Sequence, residues 1–160
     1  MPLRLFEPPV RRWFTAVFDA PTPAQTAGWP AIASGDSTLI LAPTGSGKTL
    51  AAFLWCLNRL MFRPVPAKLE RCRVLYVSPL KALAVDVERN LRAPLVGISD
   101  AAAALGVEVN VPVIGIRTGD TPAADRARFQ RSPSDILITT PESLYLLLTS
   151  NARSVLASVE

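Results

Sequence analysis

The residues best equipped for chemistry lie together in one stretch, Ala42-Pro43-Thr44-Gly45-Ser46-Gly47-Lys48-Thr49. Glycines let a backbone wrap closely around an anion, and successive N–H groups in such a turn form a concave nest of donors. The stretch follows a β-rich run, Ser37-Thr38-Leu39-Ile40-Leu41-Ala42, and opens a helical pattern from about Lys48 to Leu60. A helix N-terminus there adds its dipole and its unpaired N–H groups. In that context Pro43, Thr44, Gly45, Ser46 and Gly47 cradle a triphosphate. Lys48 sets its charge on the β- and γ-phosphates, and Thr49 offers its hydroxyl to Mg²⁺. The chemistry expected is the binding of ATP or a like nucleotide. The bland alternative, a glycine turn that happens to end in Lys-Thr, requires strand, spacing and helix to agree by chance. By spacing alone, Ala42 departs from the glycine usual at the first position.

Elements that can position such a loop recur along the chain. Apolar runs Arg73–Ser78, Val111–Ile116 and Asp135–Thr139 read as further strands, each followed by a helical segment. After Ser78 the apolar residues Leu80, Leu83, Ala84, Val87 and Leu91 recur at helical spacing. Later helices are expected after Thr121-Pro122 and from about Pro141. Near-continuous apolar strands alternating with helices argue for a parallel β-sheet flanked by helices. Ahead of the first strand, Thr22-Pro23 reads as an N-cap with proline at the first helical position. That helix should run to Ser34 and end at Gly35, with Pro30 kinking or splitting it. Residues 1–20 read as a lead-in segment with its own helix.

In a parallel sheet of strand–helix units, the loops leaving the strand ends lie on one edge, where ligands bind. Three accompany the phosphate loop: Ser78-Pro79-Leu80-Lys81, Arg117-Thr118-Gly119-Asp120-Thr121 and Thr139-Thr140-Pro141-Glu142. Each presents a helix start with hydroxyl or basic side chains. Lys81 puts a cation in a first helical turn, against the dipole, which an adjacent anion would relieve; a solvated surface lysine is the plain alternative. Together the three loops suit a sugar–phosphate backbone, read without base specificity.

Composition narrows the chemistry. Histidine is absent from the 160 residues, which excludes Ser-His-Asp and Cys-His catalysis and His-ligated zinc. Cys56 and Cys72 form no Cys-x-x-Cys pair, and Cys56, in an apolar helical stretch, is expected to be a core thiol. The net charge of +4 tilts the chain only mildly toward polyanions, although 14 of its 17 basic residues are arginine. No apolar run reaches membrane-spanning length and no secretory pattern opens the chain, so no membrane partner and a cytoplasmic setting are expected.

The ordered set Thr22-Pro23-x-Gln25, Ala42 to Thr49, Ser78-Pro79-Leu80-Lys81-Ala82-Leu83, Thr118-Gly119-Asp120 and Thr140-Pro141-Glu142 resembles the first motor domain of superfamily-2 DEAD/DEAH-type helicases. Stretches such as Gly28-Trp29-Pro30-Ala31-Ile32 and Gly115-Ile116-Arg117-Thr118-Gly119-Asp120-Thr121 are similar to the Lhr, or large helicase-related, group. The resemblance implies a P-loop NTPase fold of the RecA-like helicase type over residues 21–160, incomplete at its C-terminus. In that family Ala42 is an accepted variant of the loop. Gln25 would read adenine, with Phe18 near the base or simply in the core. Lys81, Thr118, Gly119, Asp120, Thr140 and Pro141 would line a track for single-stranded or partly duplex DNA, with RNA or a hybrid as variants, while Glu142 would cap a helix. The implied activity is an ATP-dependent DNA helicase moving 3′ to 5′, with a role in DNA repair and with the rest of the helicase chain as partner. The Asp-Glu pair that holds Mg²⁺ in this family occurs nowhere in the sequence. The chain is thus expected to be part of a larger enzyme, binding nucleotide but not hydrolysing it alone. A truncated, non-catalytic nucleic-acid-binding module and a P-loop ATPase or kinase of another class are the competing readings.

Overall fold

The computed structural model describes residues 2–160, which divide into two compact units, residues 2–63 with Leu91–Val111 and Pro64–Asn90 with Pro112–Glu160. The first unit is helical. α1 (Pro8–Val17), α2 (Pro23–Ala33) and α3 (Lys48–Phe62) pack with the second half of α4 (Lys81–Ala104). Its core is aromatic: Trp29 is fully buried, with the rings of Phe6 and Phe14 edge-on at 4.8 and 5.6 Å. The Trp29 indole N–H donates to Ala51 O at 3.1 Å, so the residue that fills the core also ties α2 to α3. Phe18 lies at the rim of this cluster, 4.9 Å from Phe14 between ring centres. Gly97 admits Trp13 onto α4, since a Cβ there would fall 2.2 Å from the indole.

α2 starts as its sequence dictates, at the Thr22 cap with Pro23 in the first turn. Pro30 does not split it. Proline removes one hydrogen bond near the helix end, and the following turn closes normally, with Ser34 N–H donating to Pro30 O at 3.0 Å.

The second unit holds a three-stranded parallel sheet, β1 (Val74–Val77), β2 (Ile114–Arg117) and β3 (Ile136–Thr139), in the order β1-β3-β2. The middle strand β3 is buried at all four residues, as a two-sided parallel strand requires. Leu137 points into a cluster with Cys72, Leu147, Ala152 and Val155, contributed in part by α6 (Pro141–Leu148). α5 (Ala123–Arg131) adds Phe129 to the same cluster. The buried stripe of α4 is Ala84, Val87, Leu91, Leu95, Ile98 and Ala102, while Leu80 and Leu83 of the expected face are exposed.

Two further expectations fail. Ser37–Ala42 is not a strand: a parallel strand exists only through hydrogen bonds to a neighbour, and none pairs with this stretch among the described residues. Its Leu39 and Leu41 are consequently 82% and 85% exposed. Cys56 is only partly buried, and the fully buried thiol is Cys72, whose pKa burial pushes up to about 11.

Candidate functional site

The phosphate loop is a turn in which Gly45 (φ 82°) and Gly47 (φ 78°) both adopt the left-handed conformation that side chains disfavour. Gly47 is the N-cap of α3 and supplies no side-chain acceptor, which leaves the opening N–H groups of the helix uncapped by any side chain. The Ser46 hydroxyl is buried without a hydrogen-bond partner. Lys48 Nζ donates to the carbonyls of Ala42 and Pro43, the latter at 2.6 Å, so its charge rests on the loop. Thr49, one residue further, is exposed.

The position of this loop comes from the start of α2. Thr22 accepts from Gln25 N–H at 3.3 Å, and Gln25 Oε1 accepts from Thr22 N–H at 3.0 Å, which completes a capping box. Both side chains then reach the loop. The Thr22 hydroxyl donates to Ser46 O at 2.8 Å, and Gln25 Nε2 donates to Gly47 O at 3.4 Å. Gln25 is only 3% exposed, and both ends of its amide are engaged. Gly47 is held so close that a Cβ there would lie 2.5 Å from Gln25 Nε2. The clamp by Thr22 escaped the sequence reading, although Thr-x-x-Gln is the signature of a capping box.

The three remaining loops belong to the sheet unit. The register pairs Thr139 with both Val77 and Arg117, so all three strands end level and their loops leave one edge together. Their groups, expected to be open, are in good part committed. Lys81 is ion-paired with Asp120, both largely exposed. That carboxylate is the anion which offsets a cation in the first turn of α4. Thr118 N–H donates to Thr121 Oγ1 at 2.9 Å, and the Thr139 hydroxyl to Arg117 O at 2.7 Å. Thr140 caps α6 by accepting from Ser143 N–H, with Pro141 in the first turn. Glu142 has its carboxyl held below the ordinary range by its own backbone N–H and then by Thr140. Gly119 is open, with nothing within 4 Å of where a Cβ would sit.

At the opposite end of β3, Asp135 is 3% exposed and accepts from Arg71 Nε at 3.0 Å, Arg71 Nη2 at 2.6 Å and Val113 N–H at 2.7 Å. This bidentate pair joins residues 64 apart and fastens both flanking strands to the centre, with the Arg71 pKa raised by it.

A glycine-cradled loop that opens a helix, in a chain that also builds a parallel strand–helix sheet, defines a P-loop α/β protein. Residues 22–160 match the DEAD/DEAH box helicase family, and the chain belongs to it. It is 56% identical over 158 residues to the Lhr helicase/probable uracil glycosylase of Mycolicibacterium smegmatis, covering 99% of this chain and 10% of that protein. It is 44% identical to the ATP-dependent helicase Lhr-Core of Methanocaldococcus jannaschii, over 96% of this chain and 18% of the relative. The structure of Mycobacterium smegmatis helicase Lhr bound to ssDNA and AMP-PNP superposes with a TM-score of 0.92 at 55% identity, covering 99% of this chain and 20% of that one. The chain thus spans about a tenth of the length of the bacterial Lhr relative. Among the described residues no helix is long and apolar enough to cross a membrane.

Proposed function

We propose that this chain is the nucleotide-binding part of an ATP-dependent DNA helicase motor, with residues 1–20 as a lead-in and 21–160 as a portion of the RecA-like domain. The observation that carries the reading is the phosphate loop. Two left-handed glycines, an uncapped helix start and a buried Ser46 hydroxyl without a partner all offer hydrogen bonds to an anion. Pro43 to Thr49 enclose the phosphates. Lys48 moves from the carbonyls of Ala42 and Pro43 to the β- and γ-phosphates, exchanging weak acceptors for charged ones. Gln25 keeps the loop in register and stands at the adenine.

Magnesium fits only as a companion of the nucleotide. No group of three His, Cys, Asp or Glu residues clusters among the described residues, while the exposed Thr49 hydroxyl can supply one oxygen and the phosphates others. When bound, the ion neutralises charge on the transferring phosphoryl group. Lys81, Thr118, Gly119, Asp120, Thr140 and Pro141 form the track for single-stranded DNA, with Lys81 sharing its charge between Asp120 and a backbone phosphate. The remainder of the helicase chain completes the motor. In the full-length protein, Lys48→Ala should abolish ATP-driven strand separation while single-strand binding persists; separation at the wild-type rate would refute the proposal.

A further inference from the structure

β2 is an edge strand, and a cavity of about 490 Å³ runs along it beneath α5. Two polar groups lining this cavity are buried and without partners, Nη1 of Arg117 and Oγ of Ser134. Arg117 is 9% exposed and Ser134 5%. An unpaired buried guanidinium N–H and hydroxyl each cost the protein their lost hydration. Arg126 and Arg128 line the same cavity, against a single carboxylate, Asp125, which is paired with Arg128 at 3.4 Å. Positive charge is therefore in excess. Burial, and secondarily Arg126, lower the pKa of Arg117, the direction expected of a cation held among unfavourable neighbours. The opening over Ser134 is kept by Gly115, where a Cβ would lie 2.6 Å from Ser134 Oγ.

We propose that this cavity is a phosphate-binding site, distinct from the loop at Gly45–Lys48, in which Arg117, Arg126 and Ser134 donate to one phosphate group. A guanidinium fork and a hydroxyl match phosphate oxygens in geometry and charge. The phosphate can belong to a free small anion or to a nucleic-acid strand; either would supply the acceptor that Arg117 Nη1 and Ser134 Oγ lack, while the exposed Arg126, whose Nε donates to Thr121 O at 2.8 Å, adds charge. The inference does not depend on the nucleotide reading, because none of its residues lies in that loop.

The test uses the ¹⁵N-labelled 160-residue chain carrying Lys48→Ala, which disables the phosphate loop, titrated with inorganic pyrophosphate. The amides of Gly115, Phe129 and Ser134 should shift saturably. Arg117→Met should remove the response. Ser134→Ala deletes only an unpartnered hydroxyl, so the fold should hold, and affinity should fall about tenfold, the effect of one hydrogen bond to a charged group. A short oligothymidylate is then added. If it moves the same amides and displaces pyrophosphate, the site takes a strand phosphate; if only pyrophosphate moves them, it takes a free anion. Unmoved amides, or shifts indifferent to both Arg117→Met and Ser134→Ala, would overturn the proposal.

Discussion

The phosphate loop and the loops at the sheet edge are both strand-end or helix-start segments rich in hydroxyls, glycine and lysine, yet they use their hydrogen bonds differently. In the phosphate loop the helix start has no side-chain cap, and a buried hydroxyl has no partner. At the sheet edge Thr140 is spent on capping α6, Thr121 on Thr118, and Lys81 on Asp120. A donor left unmet by its own chain is stored binding capacity, whereas a donor already met is stored stability. Substitutions in the two regions should separate along that line.

The largest expected effect is on stability in the sheet unit. Asp135→Ala removes the acceptor for Arg71 and Val113 and leaves a partly buried guanidinium unpaired, at a cost of about 3 kcal/mol. Urea unfolding should show the loss, while ATP affinity measured well below the unfolding midpoint should not change. Gly47→Ala should straddle the comparison. The left-handed φ of 78° costs about 1–2 kcal/mol for any side chain, and the Cβ also presses on Gln25. Both the unfolding midpoint and ATP affinity should fall; an unchanged affinity would separate loop geometry from binding. Lys81→Ala should be smallest. Its exposed ion pair contributes less than about 1 kcal/mol, so stability should barely move. Single-strand affinity should weaken, with the salt dependence reduced by about one phosphate contact. If stability drops and strand affinity does not, Lys81 belongs with the met donors alone.

Local chemistry made much of this legible. Glycine spacing and the helical pattern from Lys48 placed the turn at Gly45 and Gly47 and the start of α3, and Thr22-Pro23 placed the start of α2 to the residue. Strand–helix alternation gave the parallel sheet. Features that depend on distant partners were not legible. Ser37–Ala42 has strand composition, but pairing decides whether a strand forms. The Lys81–Asp120 and Arg71–Asp135 pairs join positions 39 and 64 apart, with no local spacing to announce them. Arg117 stands in the sequence only as the first residue of a strand-end loop and Ser134 belongs to no motif, and only burial shows that neither is satisfied. The buried stripe of α4 differs from its sequence reading because Leu80 and Leu83 fit the helical period equally well.

The uncapped start of α3 and the unpartnered Ser46 hydroxyl leave the phosphate loop with unmet capacity for an anion such as a nucleotide's phosphates. Thermal unfolding of the 160-residue chain with and without ATP and Mg²⁺ measures it directly, since a ligand that binds the folded state raises the midpoint by mass action. The wild-type midpoint should rise with ATP concentration. Lys48→Ala should start from nearly the same midpoint and show no such rise. A shift that survives Lys48→Ala would place the nucleotide elsewhere and contradict the assignment of the loop.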